Sequence, residues 1–189
     1  MPKHIGVCIS ICSQVPVIFL NPGQIHNTMK SRLPEKLIEG VKVRQLRRIK
    51  DDRGFLMELM RPDWPEFRKF GQSYLTCVNP DYVKGWHYHK VQSDHFVTIR
   101  GTTRIVCVDT RDGSATKGLV NEFVISEHDP YMVIIPPHVL HGFASHSDSE
   151  QAWIVNYPTE LYNYKQPDEF RMKHNDPSIP YDWDIEKGG

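Results

Sequence analysis

Several things are scarce in this chain of 189 residues, and each scarcity removes a class of explanation. There is no surplus of charge: 23 Lys and Arg balance 23 Asp and Glu. No global field therefore draws the chain to nucleic acid or to an anionic membrane, and only a local basic cluster can recognise a polyanion. No apolar run approaches the ~18 residues of a membrane span. The greasiest stretch, Val7 to Leu20, is interrupted by Ser10, Ser13, Gln14 and Pro16, and it lacks the clean core and cleavage site of a signal peptide. Cysteine is sparse as well. Cys8, Cys12, Cys77 and Cys107 show no CxxC spacing, which favours reduced thiols in a cytoplasmic protein over a disulfide framework. Nor is there a sustained 3.6-residue apolar period, an internal repeat or a low-complexity tract, so a helical bundle is not expected.

What the chain does have is short strands. Residues 1–35 hold no period and carry Pro16, Pro22, Gly23 and Pro34 as breakers. They read as a poorly packed extension or as sequence ahead of a start at Met29, and the two stay open. Residues 36–189 read as one domain. Strand patterns run over Val41–Ile49 and Phe55–Arg61, on either side of the turn-like Asp51-Asp52-Arg53-Gly54. A short helix is predicted over Asp63–Phe70, where Pro62 and Pro65 suit a first turn. Further strands are predicted at Gln72–Val78, Val83–His89, His95–Ile99, Thr103–Asp109, Val120–Ser126, Tyr131–Ile135, His141–His146 and Gln151–Tyr157. The pair flanking Arg100-Gly101-Thr102 carries a hairpin signal, and Ser147-Asp148-Ser149 joins the last two. Many short strands rich in Val, Ile, Tyr, Phe and Thr argue for an all-β sandwich or barrel over about residues 41–165. The Pro-containing tail from Lys165 is expected to wrap over it irregularly.

Histidine is plentiful, with 10 in the chain. His128, His138 and His146 are expected to be packing or surface residues. His87 and His89 are two apart on a strand, so they share a face. With Asp94, and with His141 after Pro136-Pro137, they resemble the metal set of many cupins.

The surrounding text is more specific. Asp52-Arg53-Gly54-Phe55 and Glu58 are followed by Gln72 to Thr76 and then by Val83-Lys84-Gly85-Trp86-His87-Tyr88. Next come Gly101, Val108-Asp109-Thr110-Arg111, Ser114, Thr116-Lys117-Gly118, Ile135-Pro136-Pro137, His141-Gly142-Phe143, Asn175-Asp176, Ile179 and Trp183. In order and near-spacing these fragments resemble the dTDP-4-dehydrorhamnose 3,5-epimerase family across residues 43–183. The resemblance implies a cupin-type antiparallel barrel, or jelly roll, that inverts C3, C5 or both of a dTDP-4-keto-6-deoxy sugar. It implies His87 as base with Asp176 as its carboxylate partner. Tyr157, which fits only with a one-residue gap and on the opposite face of the strand, is the nearest residue to the family's acid. Substrate contacts fall on Arg53, Glu58, Gln72, Lys84, His89, His141, Tyr162 and Tyr164. The resemblance further implies no metal, no cofactor, no nucleic acid and no membrane. It points to a homodimer with swapped N-terminal strands, whose Arg53 and Glu58 reach the neighbouring site.

Two positions depart from the family pattern. Where the family carries an enolate-holding lysine before the conserved glycine, here Gly101, this chain has Asp94. A carboxylate repels a developing enolate oxygen unless it is protonated or bound to a metal. Where the family's acid tyrosine falls by residue count, this chain has Asn156. A nucleotide-sugar 3,4-ketoisomerase, a metal-holding cupin using His87, His89, Asp94 and His141, and a non-catalytic sugar-binding descendant therefore stand beside the epimerase. For the epimerase, a protonated His89 paired with Asp94 would restore the missing positive charge.

Overall fold

A computed structural model describes residues 29–189. Two antiparallel sheets face one another and carry nearly all of the fold. The five-stranded sheet runs in the order β1 (Lys42–Gln45), β9 (Tyr131–Ile135), β6 (Asp94–Arg100), β11 (Ala152–Asn156) and β4 (Tyr74–Val78). The larger sheet runs β12 (Phe170–Arg171), β5 (Tyr82–Tyr88), β10 (Leu140–Ser145), β7 (Thr102–Val108) and β8 (Val120–Ser126). β13 (Lys187–Gly188) lies parallel to β5, and β2 (Arg48–Asp51) pairs with β3 (Gly54–Met57) as a separate ribbon. The expected cupin-type barrel is the fold observed.

Period-2 side chains build the core. Phe96 from β6, Ile154 from β11 and Val133 and Ile135 from β9 meet Ile105, Cys107, Phe123, Ile125 and Phe143 from the opposite sheet. β7 is apolar on both faces because its outer face is covered too. Val106 and Val108 join Val83, Trp86, Leu140 and Ala144 under Ile179 and Trp183 of the tail. A strand buried on both sides loses polar alternation, which explains the continuous Ile105-Val106-Cys107-Val108 run. Burial pushes the Cys107 thiol up, with the Asp94 charge adding to it. Over the other sheet, Leu46, Val97, Met132 and Ile134 pack beneath Met57, Leu59, Met60 and Trp64.

Several expectations are corrected. The Asp63–Phe70 segment is a pair of turns, with Trp64 N donating to Arg61 O at 3.3 Å and Phe67 N to Trp64 O at 3.0 Å. Both bonds span three residues and no four-residue ladder follows them, while Trp64 is held against the sheet beside Met57, Leu59 and Met60. The long strand expected over Val41–Ile49 breaks at Leu46, which turns into the outer cluster; the first half pairs with β9 and the second with β3. β6 and β7 are not a hairpin. β6 is bonded on both sides by β9 and β11, and β7 by β10 and β8. The link between them is a corner from one sheet to the other. Gly101 makes it, at φ +73° and so close to Gln151 that an added Cβ would lie 2.6 Å from that carbonyl oxygen. The Ser147–Ser149 loop is a second such corner, since β10 and β11 also lie in different sheets. Of the expected N-terminal extension, residues 1–28 lie outside the described residues. From Ser31 the chain is docked: Arg32 exchanges backbone bonds with Val124, and Ser31 bonds to Asp129.

Candidate active site

A bulge in β5 aims the site. His141 stands opposite His87 and Phe143 opposite Lys84, so Gly85 and Trp86 together face only Gly142. The extra residue reverses the strand's parity. Trp86 turns outward onto Trp183 (ring centroids 4.9 Å apart), while Lys84 and His87 both turn inward. Glycine at both crossing points permits the close approach, because a Cβ on Gly85 would lie 2.7 Å from Gly142 Cα. The inward side chains line a cavity of about 340 Å³ between the sheets. Tyr74 and Thr76 from β4, Phe96, Phe143, Glu169 and Arg171 complete its walls.

His87 lies at the inner end of that cavity. Burial is the main cause that holds its pKa well below 6.5, followed by unfavourable coupling to the neighbouring His141, so the ring is neutral. Behind it, His89 Nε2 and His141 Nε2 stand 3.2 and 3.1 Å from one oxygen of Asp94, Oδ2. The other oxygen, Oδ1, accepts from Gln92 Nε2 and Asn156 Nδ2, both at 2.8 Å. Burial alone would raise the Asp94 pKa, but the His141 and His89 bonds overcome it and hold the group well below 3.8. His89 is pushed down by burial and further up by Asp94, so its pKa rises. This buried carboxylate calls for positive charge beside it. His95 faces outward as strand parity requires, its Nδ1 bonded to Tyr157 O at 2.8 Å.

Asn156 and Asp94, the two departures from the family pattern, are neighbours. The Asn156 amide donates to Asp94 Oδ1 and also, at 2.9 Å, to the hydroxyl of Tyr74, its cross-strand partner. The Tyr74 ring is 42% exposed, while its hydroxyl end is drawn inward by this bond. Burial, then the Asp94 charge, pushes its pKa up to about 12, so the phenol keeps its proton. Lys84 Nζ donates to Thr76 Oγ1 at 3.0 Å, and Arg171 pairs with Glu169 at 2.8 Å.

Of the residues named from sequence, His87 and Lys84 line the cavity, and His89, Asp94 and His141 lie behind it. The rest are placed elsewhere. Asp176 is not bonded to His87; its carboxylate accepts from Ser178 N and Oγ, at 2.9 and 2.6 Å, in a separate cavity of the tail. The reason is that Trp86 anchors the tail outside the sheet, through its indole N–H to His174 O at 3.0 Å, whereas His87 points inside. Tyr157 packs in the outer cluster. Arg53 is exposed and paired with Asp51 at 2.7 Å, and Glu58 pairs with Arg61 at 2.5 Å. Gln72 is tied by its backbone to Pro158 O. Tyr162 and Tyr164 stack edge-on at 4.9 Å and are exposed. Tyr74, Thr76, Glu169 and Arg171 went unnamed. Parity with buried Val78 was a usable signal for Tyr74 and Thr76. No signal marks Arg171, which reaches the site on a two-residue strand beside His87.

Comparison with known proteins agrees with this geometry. A family model described as dTDP-4-dehydrorhamnose 3,5-epimerase matches residues 35–188. A Haloferax volcanii protein named "Probable low-salt glycan biosynthesis epimerase Agl13" is 41% identical over 154 residues, covering 80% of this chain and 98% of the relative. The Bacillus subtilis spore coat polysaccharide biosynthesis protein SpsL is 35% identical over 150 residues, covering 79% and 99%. Among solved structures, a dTDP sugar isomerase from Desulfovibrio desulfuricans superposes with a TM-score of 0.73 at 29% identity, covering 81% of this chain and 94% of that one.

Proposed function

Because the chain belongs to the dTDP-4-dehydrorhamnose 3,5-epimerase family, we propose that it inverts C3, C5 or both of a dTDP-linked 4-keto-6-deoxy sugar, with His87 as base and Tyr74 as acid. It is a nucleotide-sugar epimerase of the isomerase class. One observation carries the residue roles: a neutral imidazole and a protonated phenol enter one cavity from facing sheets. A 4-keto group acidifies the protons at C3 and C5. A neutral imidazole takes such a proton, and a phenol on the far wall returns one to the opposite face. The cavity volume is at the lower end of small-molecule sites, suited to the sugar, with the nucleotide across the mouth. Lys84 and Arg171 stand at the wall as the cations for the diphosphate.

The protein works as a homodimer on this reading. Phe55 and Leu56 on the β2–β3 ribbon and Leu75 on edge strand β4 are 54%, 59% and 52% exposed, apolar side chains that a second copy would cover. Swapped ribbons would carry Arg53 and Glu58 to the partner's cavity mouth. Free Cys77 and Cys107 suit a cytoplasmic setting.

The test is incubation with dTDP-4-keto-6-deoxyglucose in deuterated water, read by NMR. Deuterium at C3 or C5 with inverted configuration is expected, and His87→Asn abolishes both. Absence of any exchange in the wild type refutes the epimerase assignment; full exchange in His87→Asn refutes the base.

A further inference from the structure

Behind the cavity wall, side chains converge in a way that proton transfer between His87 and Tyr74 does not use. His89, Asp94 and His141 are buried, His87 stands beside them, and one ligand atom of each lies within 4.8 Å of all the others. We propose that His89, Asp94 and His141 bind one divalent first-row transition-metal ion, with His87 left unligated at its edge. The ion's purpose, though not its binding, rests on the epimerase reading above.

Geometry supplies the first argument. Ligand atoms held about 2.0–2.2 Å from one ion, at angles between square and tetrahedral, lie roughly 2.8–3.6 Å apart. His89 Nε2 and His141 Nε2 lie 3.2 and 3.1 Å from Asp94 Oδ2. Ring orientation supplies the second. His141 Nδ1 is 2.9 Å from Val139 O, and His89 Nδ1 is bonded to Asp168 O. Carbonyls only accept, so both Nδ1 atoms carry a proton, and Nε2 is in each ring the nitrogen that faces the carboxylate and could become the ligand. Fixing a ligand histidine through its other nitrogen is how metal sites set the tautomer. Gln92 Nε2, which donates to Asp94 Oδ1, also lies 3.2 Å from His89 Nε2 and so borders the same cluster.

The carboxylate is prepared in the same sense. Two amides occupy Oδ1 and leave Oδ2 to the centre of the cluster. Among the ion pairs of the described residues, no lysine or arginine neutralises Asp94. Two imidazoles and one carboxylate on adjacent positions leave the remaining positions of an ion open, on the side where the cavity lies. His87 differs from its neighbours, since among the described residues neither of its ring nitrogens has a hydrogen bond that would lock the ring, whereas His89 and His141 are each held through Nδ1. That freedom suits a base and not a ligand. When bound, such an ion supplies Lewis-acid polarisation of an oxygen presented from the cavity.

The test uses untagged full-length protein, stripped with a chelator and dialysed against Co²⁺ or Zn²⁺. Close to one equivalent is expected by elemental analysis, with visible d–d bands for Co²⁺ and a melting temperature that climbs with ion concentration. Asp94→Asn and His141→Asn should each weaken Co²⁺ binding by at least about 100-fold, beyond the usual effect of altering a ligand's supporting partner. Circular dichroism of each variant checks that it is folded. His87→Asn should bind Co²⁺ as the wild type does. Wild-type protein that holds well under one equivalent overturns the proposal. So does Asp94→Asn that binds Co²⁺ unchanged, or binding lost in His87→Asn but kept in His141→Asn. Because the readout is metal content, a protein that exchanges sugar protons but takes up no metal sinks this inference alone. Metal binding without exchange sinks only the epimerase reading.

Discussion

Replacing Tyr74 with Phe removes one hydroxyl and keeps the ring, so the two consequences separate cleanly. In the folded protein that hydroxyl accepts a single side-chain hydrogen bond, from Asn156 at 2.9 Å. A neutral bond of this kind contributes about 1 kcal/mol. In a chain of this size that is a melting shift of roughly 2–4 °C, so the variant stays folded. Catalysis should suffer more, because a positioned general acid is worth about 10²–10⁴-fold. The loss is also selective. His87, on the facing sheet, still removes the proton and can return a deuteron to the face it came from. Tyr74→Phe should therefore keep deuterium exchange with retained configuration while inversion falls by about 10²-fold or more. NMR of the sugar in deuterated water reads both rates in one tube. Equal loss of exchange and inversion would make Tyr74 a binding or packing residue. Unchanged inversion would remove it from the reaction.

Three further substitutions test the scaffold. The buried Asp109 carboxylate accepts from Arg111, Ser114 and Thr116; the Arg111 bond, opposed more weakly by burial, holds its pKa below the ordinary range. Its stabilisation is thus present above about pH 4, where the unfolded carboxyl ionises, and is lost as pH falls through the folded value. Asp109→Asn should cost about 2–3 kcal/mol at neutral pH in urea melts, and the gap from wild type should shrink in acid; a gap that does not depend on pH refutes this. Trp183→Ala removes a 1% exposed indole from its contact with Trp86; a loss of about 3–5 kcal/mol is expected, and under 1 kcal/mol would show that the tail is not a clamp. His138 sits at φ +65°, which an L side chain adopts at a cost. His138→Gly should stabilise by roughly 0.5–1 kcal/mol, measured by thermal melts, and destabilisation would show that the imidazole itself is needed.

Strand positions were readable because β-branched and aromatic runs declare themselves locally. β8 and β9 match their expected bounds, and the other strands of the two main sheets that were expected differ mostly by one or two residues at their ends. Pairing was not readable, for a physical reason. A glycine after a strand reports that the chain turns, not whether the next strand returns to the same sheet or crosses to the opposite one. Gly101 looked like a hairpin and is a corner. Asp51 to Gly54 looked only like a turn, and there the chain does return alongside itself as a hairpin. The tail shows the same limit more sharply: β12 and β13 have two residues each, too few for any period, yet both are held by β5.

The candidate site was legible where chemistry is local and illegible where it is assembled. His87, His89 and Asp94 lie within one short stretch, and their grouping with His141 follows from strand parity and one distant histidine. Asp176 failed as the partner of His87 because its position depends on which face of the sheet the tail covers, and Trp86 decides that. Read one at a time, Asp94 and Asn156 look like two independent losses from an epimerase. In space they are one arrangement, since the amide of Asn156 donates both to the carboxylate of Asp94 and to the hydroxyl of Tyr74. An asparagine in place of the expected acid holds a phenol that arrives from the adjacent strand. The same asparagine also fixes a carboxylate that stands where a cation was expected. A cluster of two histidines around that carboxylate is where positive charge must then be found, as a proton or as an ion. Substitution of Asn156 should accordingly disturb Tyr74 and Asp94 together, a coupling that independent losses would not produce.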